Sequence, residues 1–518
     1  MNDIAKSSLI VSVLSIAGLA LGFVSTCVIA AVFGAGRQMD VFFAAITIPT
    51  FINSILCSSL SFTFIPVLAE YGATDKKDTD EIISGFLLGS LLVSFLLCLM
   101  MIGTAPLLMR KIAPGFTDSE VIQSSNLLRW LLPVIIFTVA NELLSSVYYS
   151  FSKFLLPSLV KLLIPIFTIF LVLALHPVME TRSIVIAMLA GSMVQSCILF
   201  IGLLRMHGAS FILRPILNHP GILKIVKLMV PLLLGLTASR ALPFIDRHFL
   251  SALGQGSIAH VEYGLKLLSA IPPVIVSGIA ITLFPVMAKH ASLKQWDELI
   301  LLISKGMRLL FFLSIPFVLL LGPYSCKIVS LVFQRGAFTF ADSVAVGSVF
   351  GFYLLALPAI AIGTIIGQTH YVLQNTNTVA LLSVLQVAIY TSIIALILPW
   401  KGYIAIPISY AICFNAFALI NAIIVRRRIK SSIVMFPVWS VCSNIFSGLF
   451  AFVLLTACIS LFSPSPLFVA VFIFVAFILY FLFSRILFRT KESEEILQLL
   501  FKTLPFFKKI PAKYLTES

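Results

Sequence analysis

Five basic side chains lie inside stretches of this chain that are otherwise apolar enough to cross a membrane: Arg129, Lys161, Arg240, Arg247 and Lys266. A charged group in hydrocarbon costs roughly 3 kcal/mol or more, so it usually faces the protein interior or a water-filled cavity. Permanent positive charge in such a cavity suits an anion, because arginine holds phosphate or carboxylate through two parallel hydrogen bonds. These residue types therefore predict the binding of an anionic substrate.

The seventh and eighth predicted spans carry three of these cations. Arg240 and Arg247 are seven residues apart in span seven and so lie on roughly one face of a helix. Lys266 lies in the outer part of span eight. We expect these three side chains to line a central cavity and bind the substrate. Asp246, also in span seven, is a candidate ion-coupling residue. The alternative is a structural role, in which Asp246 forms an internal salt bridge with Lys266 or Arg247.

The first half of the chain carries a second group of membrane charges. Glu142 and Lys161 fall at similar depth in the cytoplasmic halves of spans four and five. We expect a structural pair that fastens adjacent helices, and the alternative is a proton or sodium coupling site at Glu142. Arg129 lies one turn from the outer boundary, where its long side chain can extend to the headgroups.

The composition requires a membrane protein. The 518 residues are 60% hydrophobic and only 11% charged, with a mean hydropathy of +1.12, so they cannot provide the polar surface of a soluble domain. The net charge of +15 is better explained by cytoplasmic loops than by nucleic acid. The chain contains no HExxH, no phosphate-binding P-loop and no GxSxG motif, and its histidines and cysteines lack metal-ligand spacing. We therefore expect no catalytic residues, no metal site and no enzyme.

Fourteen apolar stretches are long enough to cross about 30 Å of hydrocarbon. These predicted spans, numbered in chain order, lie near residues 8–33, 41–68, 82–109, 126–149, 156–176, 183–204, 225–251, 263–288, 309–332, 343–372, 378–399, 402–425, 438–463 and 466–484. An even number of spans puts both termini on one side, and that side then holds twenty-three of the Lys and Arg residues against seven on the other. Positive loops mark the cytoplasm. The fold class is thus an all-α polytopic membrane protein with 14 transmembrane helices and both termini cytoplasmic.

Short internal echoes indicate a duplicated core. Phe64–Glu70 resembles Leu283–Lys289 at an offset of 219 residues, and Tyr149 matches Tyr371 at 222. An offset of six spans gives two parallel repeats, the arrangement of two-lobed transporters. The predicted domains are two six-helix lobes, two extra C-terminal helices and a basic cytoplasmic tail, with bounds at 1–222, 223–430, 431–490 and 491–518.

Several strings together resemble the MurJ/MviN family of the multidrug/oligosaccharidyl-lipid/polysaccharide exporter superfamily. Phe33–Gly36 followed by Asp40–Ala45 is similar to that family's F-G-A-G-x-x-x-D-x-F-x-x-A signature. Further matching strings follow in order along the chain, among them Phe64–Tyr71, Tyr263–Leu267 and Phe333–Thr339.

This resemblance implies an alternating-access flippase that moves the undecaprenyl-diphosphate-linked precursor lipid II to the outer leaflet of the bacterial cytoplasmic (inner) membrane. It also implies that the two extra C-terminal helices form part of a groove for the lipid tail. Asp40 and Lys266 match family positions and join Arg240 and Arg247 as predicted substrate contacts. The implied partners are the lipid-linked anionic oligosaccharide and membrane lipids, with the cell-wall synthesis machinery as a further candidate and no nucleic acid. No cofactor is expected, and coupling to H⁺, Na⁺ or the membrane potential stays open.

The amino-terminal lobe departs from the family pattern. The resemblance implies arginines in spans one and two, but the aligned positions hold Leu19, Ser25 and the run Ile52–Ile55. An alternative substrate is therefore another undecaprenyl-linked oligosaccharide, for capsule, O-antigen or exopolysaccharide. A cation-coupled drug exporter and a transport-silent membrane scaffold are the remaining alternatives.

Overall fold

The computed structural model describes residues 2–72, 76–207, 219–429, 438–462, 466–486 and 492, and it places no β-strand among them. The apolar runs form helices because backbone N–H and C=O groups in a bilayer must be satisfied within the segment. The first nine helices are α1 (Asn2–Phe33), α2 (Arg37–Gly72), α3 (Lys76–Ile112), α4 (Asp118–Ser150), α5 (Leu155–Val160), α6 (Leu163–Met179), α7 (Arg182–His207), α8 (Pro220–Ser239) and α9 (Leu242–Leu250).

Eleven further α-helices follow in the described residues: α10 (Ser257–Ser269), α11 (Pro272–Ile275), α12 (Ser277–Ser292), α13 (Trp296–Pro316), α14 (Ser325–Phe333), α15 (Phe340–Leu354), α16 (Leu357–Val372), α17 (Thr376–Lys401), α18 (Ala405–Arg428), α19 (Val438–Phe462) and α20 (Pro466–Ile486). One π-helical turn, Phe317–Leu321, extends α13, and a 3₁₀ turn, Gly402–Ile404, joins α17 to α18.

Prolines explain the breaks within single predicted spans. Span seven is divided into α8 and α9, and Pro243 stands in the first turn of α9, where its missing N–H costs nothing. In span eight, the segment Ser257–Ile275 meets Ser277–Ser292 at a bend of 50° just after Pro272 and Pro273. In span ten, Pro358 opens α16 beside a bend of 42°.

The chain divides into two units. Unit 1 comprises Met1–Glu262, Phe333–Asp342 and Ser383–Thr391. Within it, α2 packs against α4 and α8, and α4 also packs against α3 and α7. The start of α4 is stabilised by a capping box, in which Thr117 and Glu120 satisfy each other's backbone N–H groups.

Unit 2 comprises Tyr263–Val332, Ser343–Leu382 and Ser392–Ser518. In it, α13 packs against α12, α16 and α19, and α19 packs against α20. A core cluster that includes Phe312, Ala451 and Tyr480 joins α13 to the two C-terminal helices.

The predicted all-α multi-pass fold is confirmed. By length and composition, ten helical segments of the described chain could cross a membrane, or up to twelve when each bent pair counts as one span. The number fourteen, the lobe bounds and the orientation of the termini stay predictions. The predicted basic tail lies outside the described residues, apart from Glu492.

Candidate functional site

Asp40 lies in the first turn of α2 and is completely buried. Its carboxylate accepts hydrogen bonds from the backbone N–H of Gly256, at 2.7 Å, and of Ala259, at 2.8 Å. These amides stand at the N-terminus of α10, where the helix dipole favours a negative charge. Arg37 adds a cation 3.6 Å away. Asp40 was predicted to contact the substrate. In this structure its carboxylate instead joins α2 to the start of α10 through these hydrogen bonds.

The side chain of Arg247 also interacts with other groups of the protein. Its side chain is buried on α9, forms an ion pair with Glu262 of α10 and donates from Nε to Thr47 Oγ1 of α2 at 3.1 Å. A buried guanidinium needs such a partner, because an uncompensated charge in a low-dielectric interior is costly. One side chain therefore connects α2, α9 and α10.

Asp246 makes a hydrogen bond that its sequence neighbours do not suggest. The hydroxyl of Tyr390, on the part of α17 that belongs to unit 1, donates to Asp246 Oδ1 at 2.6 Å, and both residues are buried. The neighbouring Arg247 pairs with Glu262, and the salt bridge considered for Asp246 stays a prediction.

We name the six side chains that make these contacts the polar cluster: Asp40, Thr47, Asp246, Arg247, Glu262 and Tyr390. Thr47, Glu262 and Tyr390 are not among the site residues predicted from the sequence. Thr47 and Tyr390 carry no distinguishing pattern, but Glu262 is an ionisable residue next to a predicted span and could have been proposed on that ground.

The turn between α1 and α2 reinforces the same end of unit 1. Gly34 has φ +67° there, and a Cβ on it would lie 2.6 Å from the carbonyl oxygen of Ala337. The backbone N–H of Ala337 donates to the carbonyl of Ala31 at 2.7 Å. The string Phe333–Thr339 is therefore hydrogen-bonded to the end of α1, and the carbonyl of Ala337 lies close to Gly34 of the string Phe33–Gly36.

One further ion pair and one histidine–carboxylate hydrogen bond also lie at this end. Arg37 is paired with Glu120 at the start of α4 and lies 5.0 Å from the ring centre of Phe116. His260 Nε2 is 3.2 Å from Asp342, which also accepts from the backbone N–H of Thr339. Neither pair was predicted from the sequence.

The structure places both residues of the predicted pair, Glu142 and Lys161, in unit 1. Glu142 is half-buried on α4, and Lys161 follows α5 with its Nζ 5.7 Å from the ring centre of Tyr149. The structural pair and the ion-coupling alternative both stay predictions.

The two remaining predicted substrate contacts differ from Arg247 in exposure. Arg240 is exposed in unit 1 at the C-terminus of α8, where a cation complements the helix dipole. Lys266 is half-buried on the unit 2 part of α10. Arg129 is exposed and donates to the carbonyl of Ile102 and the side chain of Asn126.

One cluster could be mistaken for a metal site. The ligand atoms of Asp78, Glu81 and His219 lie within 4.8 Å of one another. However, His219 Nδ1 accepts from the backbone N–H of Gly221 and caps α8, so the proton of the neutral ring is on Nε2, which faces Asp78 at 3.9 Å. A metal would need that Nε2 lone pair, so this geometry describes a hydrogen-bonded histidine.

Comparison with known proteins identifies the family. The model of the lipid II flippase MurJ family matches residues 29–488. The chain belongs to the MurJ family. It is 27% identical to a probable lipid II flippase MurJ of Buchnera aphidicola subsp. Schizaphis graminum, over 74% of this chain and 76% of that one. It is 28% identical to a protein of the same description from Haemophilus influenzae, over 80% and 83%.

Solved structures show the same fold. A lipid II flippase MurJ in an inward closed conformation superposes with a TM-score of 0.78 at 19% identity, covering 93% of this chain and 99% of that chain. An inward-facing multidrug resistance MATE family transporter of the MOP superfamily reaches 0.68 at 16% identity, covering 80% and 96%. The predicted family is confirmed, and these structures show that the chain has the same fold.

As a MurJ-family member, the chain has neutral residues at the positions where arginines were implied. Leu19 is exposed on α1, and Ser25 is buried and donates to its own helix backbone. Asn53 of α2 accepts a hydrogen bond from Thr138 of α4 at 2.7 Å. None of these three positions supplies a cation, and only Asn53 forms a hydrogen bond to a neighbouring helix.

Proposed function

We propose that this chain moves lipid II, the undecaprenyl-diphosphate-linked peptidoglycan precursor, from the inner to the outer leaflet of the bacterial cytoplasmic membrane by alternating access. The observation that carries the proposal is the MurJ family match over residues 29–488, to which the MurJ-like fold adds support. The family is one of transporters, so the work of the protein is a conformational cycle that gives one lipid headgroup access to both sides.

The polar cluster supplies a gate for that cycle. It lies at the end of unit 1 that the positive-inside rule assigns to the outside. Opening there requires Asp40 to release two backbone N–H groups and Arg247 to leave Glu262. Each of these groups would need a new partner, because a buried charge left alone costs about 3–5 kcal/mol. The closed state is therefore favoured until water or substrate replaces the protein partners.

Arg240 in unit 1 and Lys266 in unit 2 are each proposed to contact an anionic group of the substrate. Arg240 is exposed and offers a planar fork that fits phosphate oxygens, while Lys266 offers a point charge. Arg247 and Asp40 have protein partners in this structure, so we assign them to the gate. The cytoplasmic location of both termini and the use of H⁺, Na⁺ or membrane potential as energy source are part of this proposal.

The test is rescue of growth in bacteria depleted of their own lipid II flippase, combined with a measurement of lipid II at the outer leaflet. The unmodified chain should rescue, and Arg240→Ala and Lys266→Ala should lose rescue at unchanged expression. Arg110→Ala is the matched control, because Arg110 is an exposed arginine paired with the exposed Asp118.

Each outcome separates the competing functions. A well-expressed chain that does not rescue contradicts lipid II transport, and restored export in a polysaccharide-flippase mutant would assign another undecaprenyl-linked oligosaccharide. Full rescue by both alanine variants would instead show that transport does not depend on these cations.

A further inference from the structure

A polar face on α19 lies buried against its neighbours in unit 2. Ser440, Ser443, Asn444 and Ser447 recur at intervals of three and four residues and so share one side of the helix. All four are buried, and Asn444 and Ser447 are completely inaccessible. Such residues commonly join helices in membranes through hydrogen bonds. One residue of this face, Ser440, also contacts a charged pair.

The charged pair consists of Arg308 and Glu492. Arg308 Nε on α13 lies 3.4 Å from Glu492 Oε1, and Glu492 has only 4% of its side chain exposed. The hydroxyl of Ser440 donates to the same oxygen at 2.9 Å, and Asn444 Nδ2 lies 3.4 Å from that hydroxyl. An arginine and a hydroxyl therefore converge on one carboxylate oxygen, a donor arrangement that binds anions in general.

The fit of Arg308 to this carboxylate is incomplete. Its Nε is buried, yet it makes no hydrogen bond to any group in the part of the chain that the structure describes. The 3.4 Å contact with Glu492 is an ion pair that is not aligned for a hydrogen bond. A buried donor in this condition retains binding capacity for a better-shaped acceptor.

The depth of these residues identifies the environment. Ser440 is the second residue of the membrane-spanning stretch Trp439–Ser460, and Ser484, also buried, is two residues from the end of Phe468–Ile486. Both positions are at the membrane boundary that the positive-inside rule assigns to the cytoplasm. Phospholipid headgroups occupy this depth, and those of the cytoplasmic leaflet are frequently anionic.

We propose that Arg308, Ser440 and Asn444 form a binding site for the phosphate of an anionic membrane lipid, and that Glu492 occupies this site as an internal competitor. A phosphate presents more oxygens than a carboxylate and bonds arginine through two of them, so it can use donor capacity that Glu492 leaves idle. The lipid's chains would then lie along the apolar surfaces of α19 and α20, beyond the polar face. This site is separate from the polar cluster and does not depend on the proposed transport.

Two substitutions should change lipid binding in opposite directions. Glu492→Gln removes the competing charge but keeps the side-chain shape, so affinity for an anionic lipid should rise. Arg308→Gln removes the cation, so affinity should fall by roughly tenfold, the effect of losing a charge-assisted hydrogen bond. Retained lipid is measured by native mass spectrometry of the full chain from nanodiscs that contain phosphatidylglycerol, with nanodiscs of phosphatidylcholine alone as the neutral comparison.

A further experiment distinguishes a lipid headgroup from free phosphate as the ligand of this site. Inorganic phosphate is titrated against the same protein in neutral nanodiscs, and saturable, Arg308-dependent binding of phosphate without retention of phosphatidylglycerol in the anionic nanodiscs would assign a soluble anion in place of a lipid. Arg110→Gln and Asp118→Asn are matched controls, because they change an exposed arginine–carboxylate pair in unit 1.

The direction in which each variant changes lipid retention distinguishes a lipid-binding site from a purely structural ion pair. Opposite changes in anionic-lipid retention, with control variants unchanged, support the site. If both variants lower the unfolding temperature and leave lipid retention unchanged, Arg308 and Glu492 only fasten helices together and the proposal is wrong.

Discussion

Replacing Glu262 by glutamine tests the gate directly, because the carboxylate of Glu262 neutralises a cation that is only 4% exposed. Losing one partner of a buried pair outright costs about 3–5 kcal/mol. The amide still accepts a hydrogen bond from Arg247, so only the charge-assisted part is lost, and the closed arrangement should weaken by about 2 kcal/mol. Since about 1.4 kcal/mol corresponds to tenfold, opening should become roughly thirtyfold more frequent.

Hydrogen exchange of two backbone amides reports this opening. The N–H groups of Gly256 and Ala259 are protected by Asp40, and they exchange only when the N-terminus of α10 separates from α2. In Glu262→Gln, peptides covering residues 252–262 should therefore exchange roughly thirtyfold faster in lipid nanodiscs, provided that reclosing is fast compared with exchange.

The matched control is Asp118→Asn, which removes a carboxylate with 86% of its side chain exposed. Exposed pairs contribute about 0–1 kcal/mol, so exchange at 252–262 should hardly change. The reasoning would be refuted if Glu262→Gln left these amides within about twofold of their original rate, or if exchange accelerated equally throughout the chain.

Three further predictions concern neighbouring residues. Asp40→Asn should accelerate exchange of the same α10 amides, because a single amide oxygen replaces a charged carboxylate that accepts from both, and the cost should be about 1–3 kcal/mol. Gly34→Ala should lower the unfolding temperature, since its φ of +67° and a carbonyl 2.6 Å from the new Cβ both oppose a side chain, whereas Gly22→Ala, which meets nothing within 4 Å, should be neutral or slightly stabilising. For the structural pair, Glu142→Gln and Lys161→Gln should each destabilise the protein and their double variant should cost less than the sum; a loss of pH- or Na⁺-dependent transport with unchanged stability would instead assign Glu142 to ion coupling.

Local patterns in the sequence predict much of this protein's fold. Long apolar runs must become helices in a bilayer, so the all-α fold follows from hydropathy, and the prolines in spans seven, eight and ten lie where those helices bend. The MurJ resemblance, carried by ordered strings such as Phe33–Gly36, was confirmed by the family match.

The partners of the charged residues within the predicted spans were harder to predict from the sequence. Arg247 was expected to face a cavity, but Glu262 and Thr47 surround it in this structure. Asp246 was considered for a salt bridge, yet its hydrogen-bond partner is Tyr390. An ionisable residue in a predicted span indicates only that a partner must exist, because cavity water, substrate and protein groups all satisfy the same desolvation cost.

The sequence by itself determined that this chain crosses a membrane repeatedly, that its buried cations need anionic or polar partners, and to which family it belongs. Tertiary structure alone decided which partners those are. Asp40 and Gly256 are 216 residues apart, and Asp246 and Tyr390 are 144 apart. Helix periodicity relates residues within a few turns, whereas contacts over such separations depend on how whole helices pack and bend. For this reason the charge pattern predicted only that these residues need partners, and the packing of α2, α9 and α10 decided which groups those partners are.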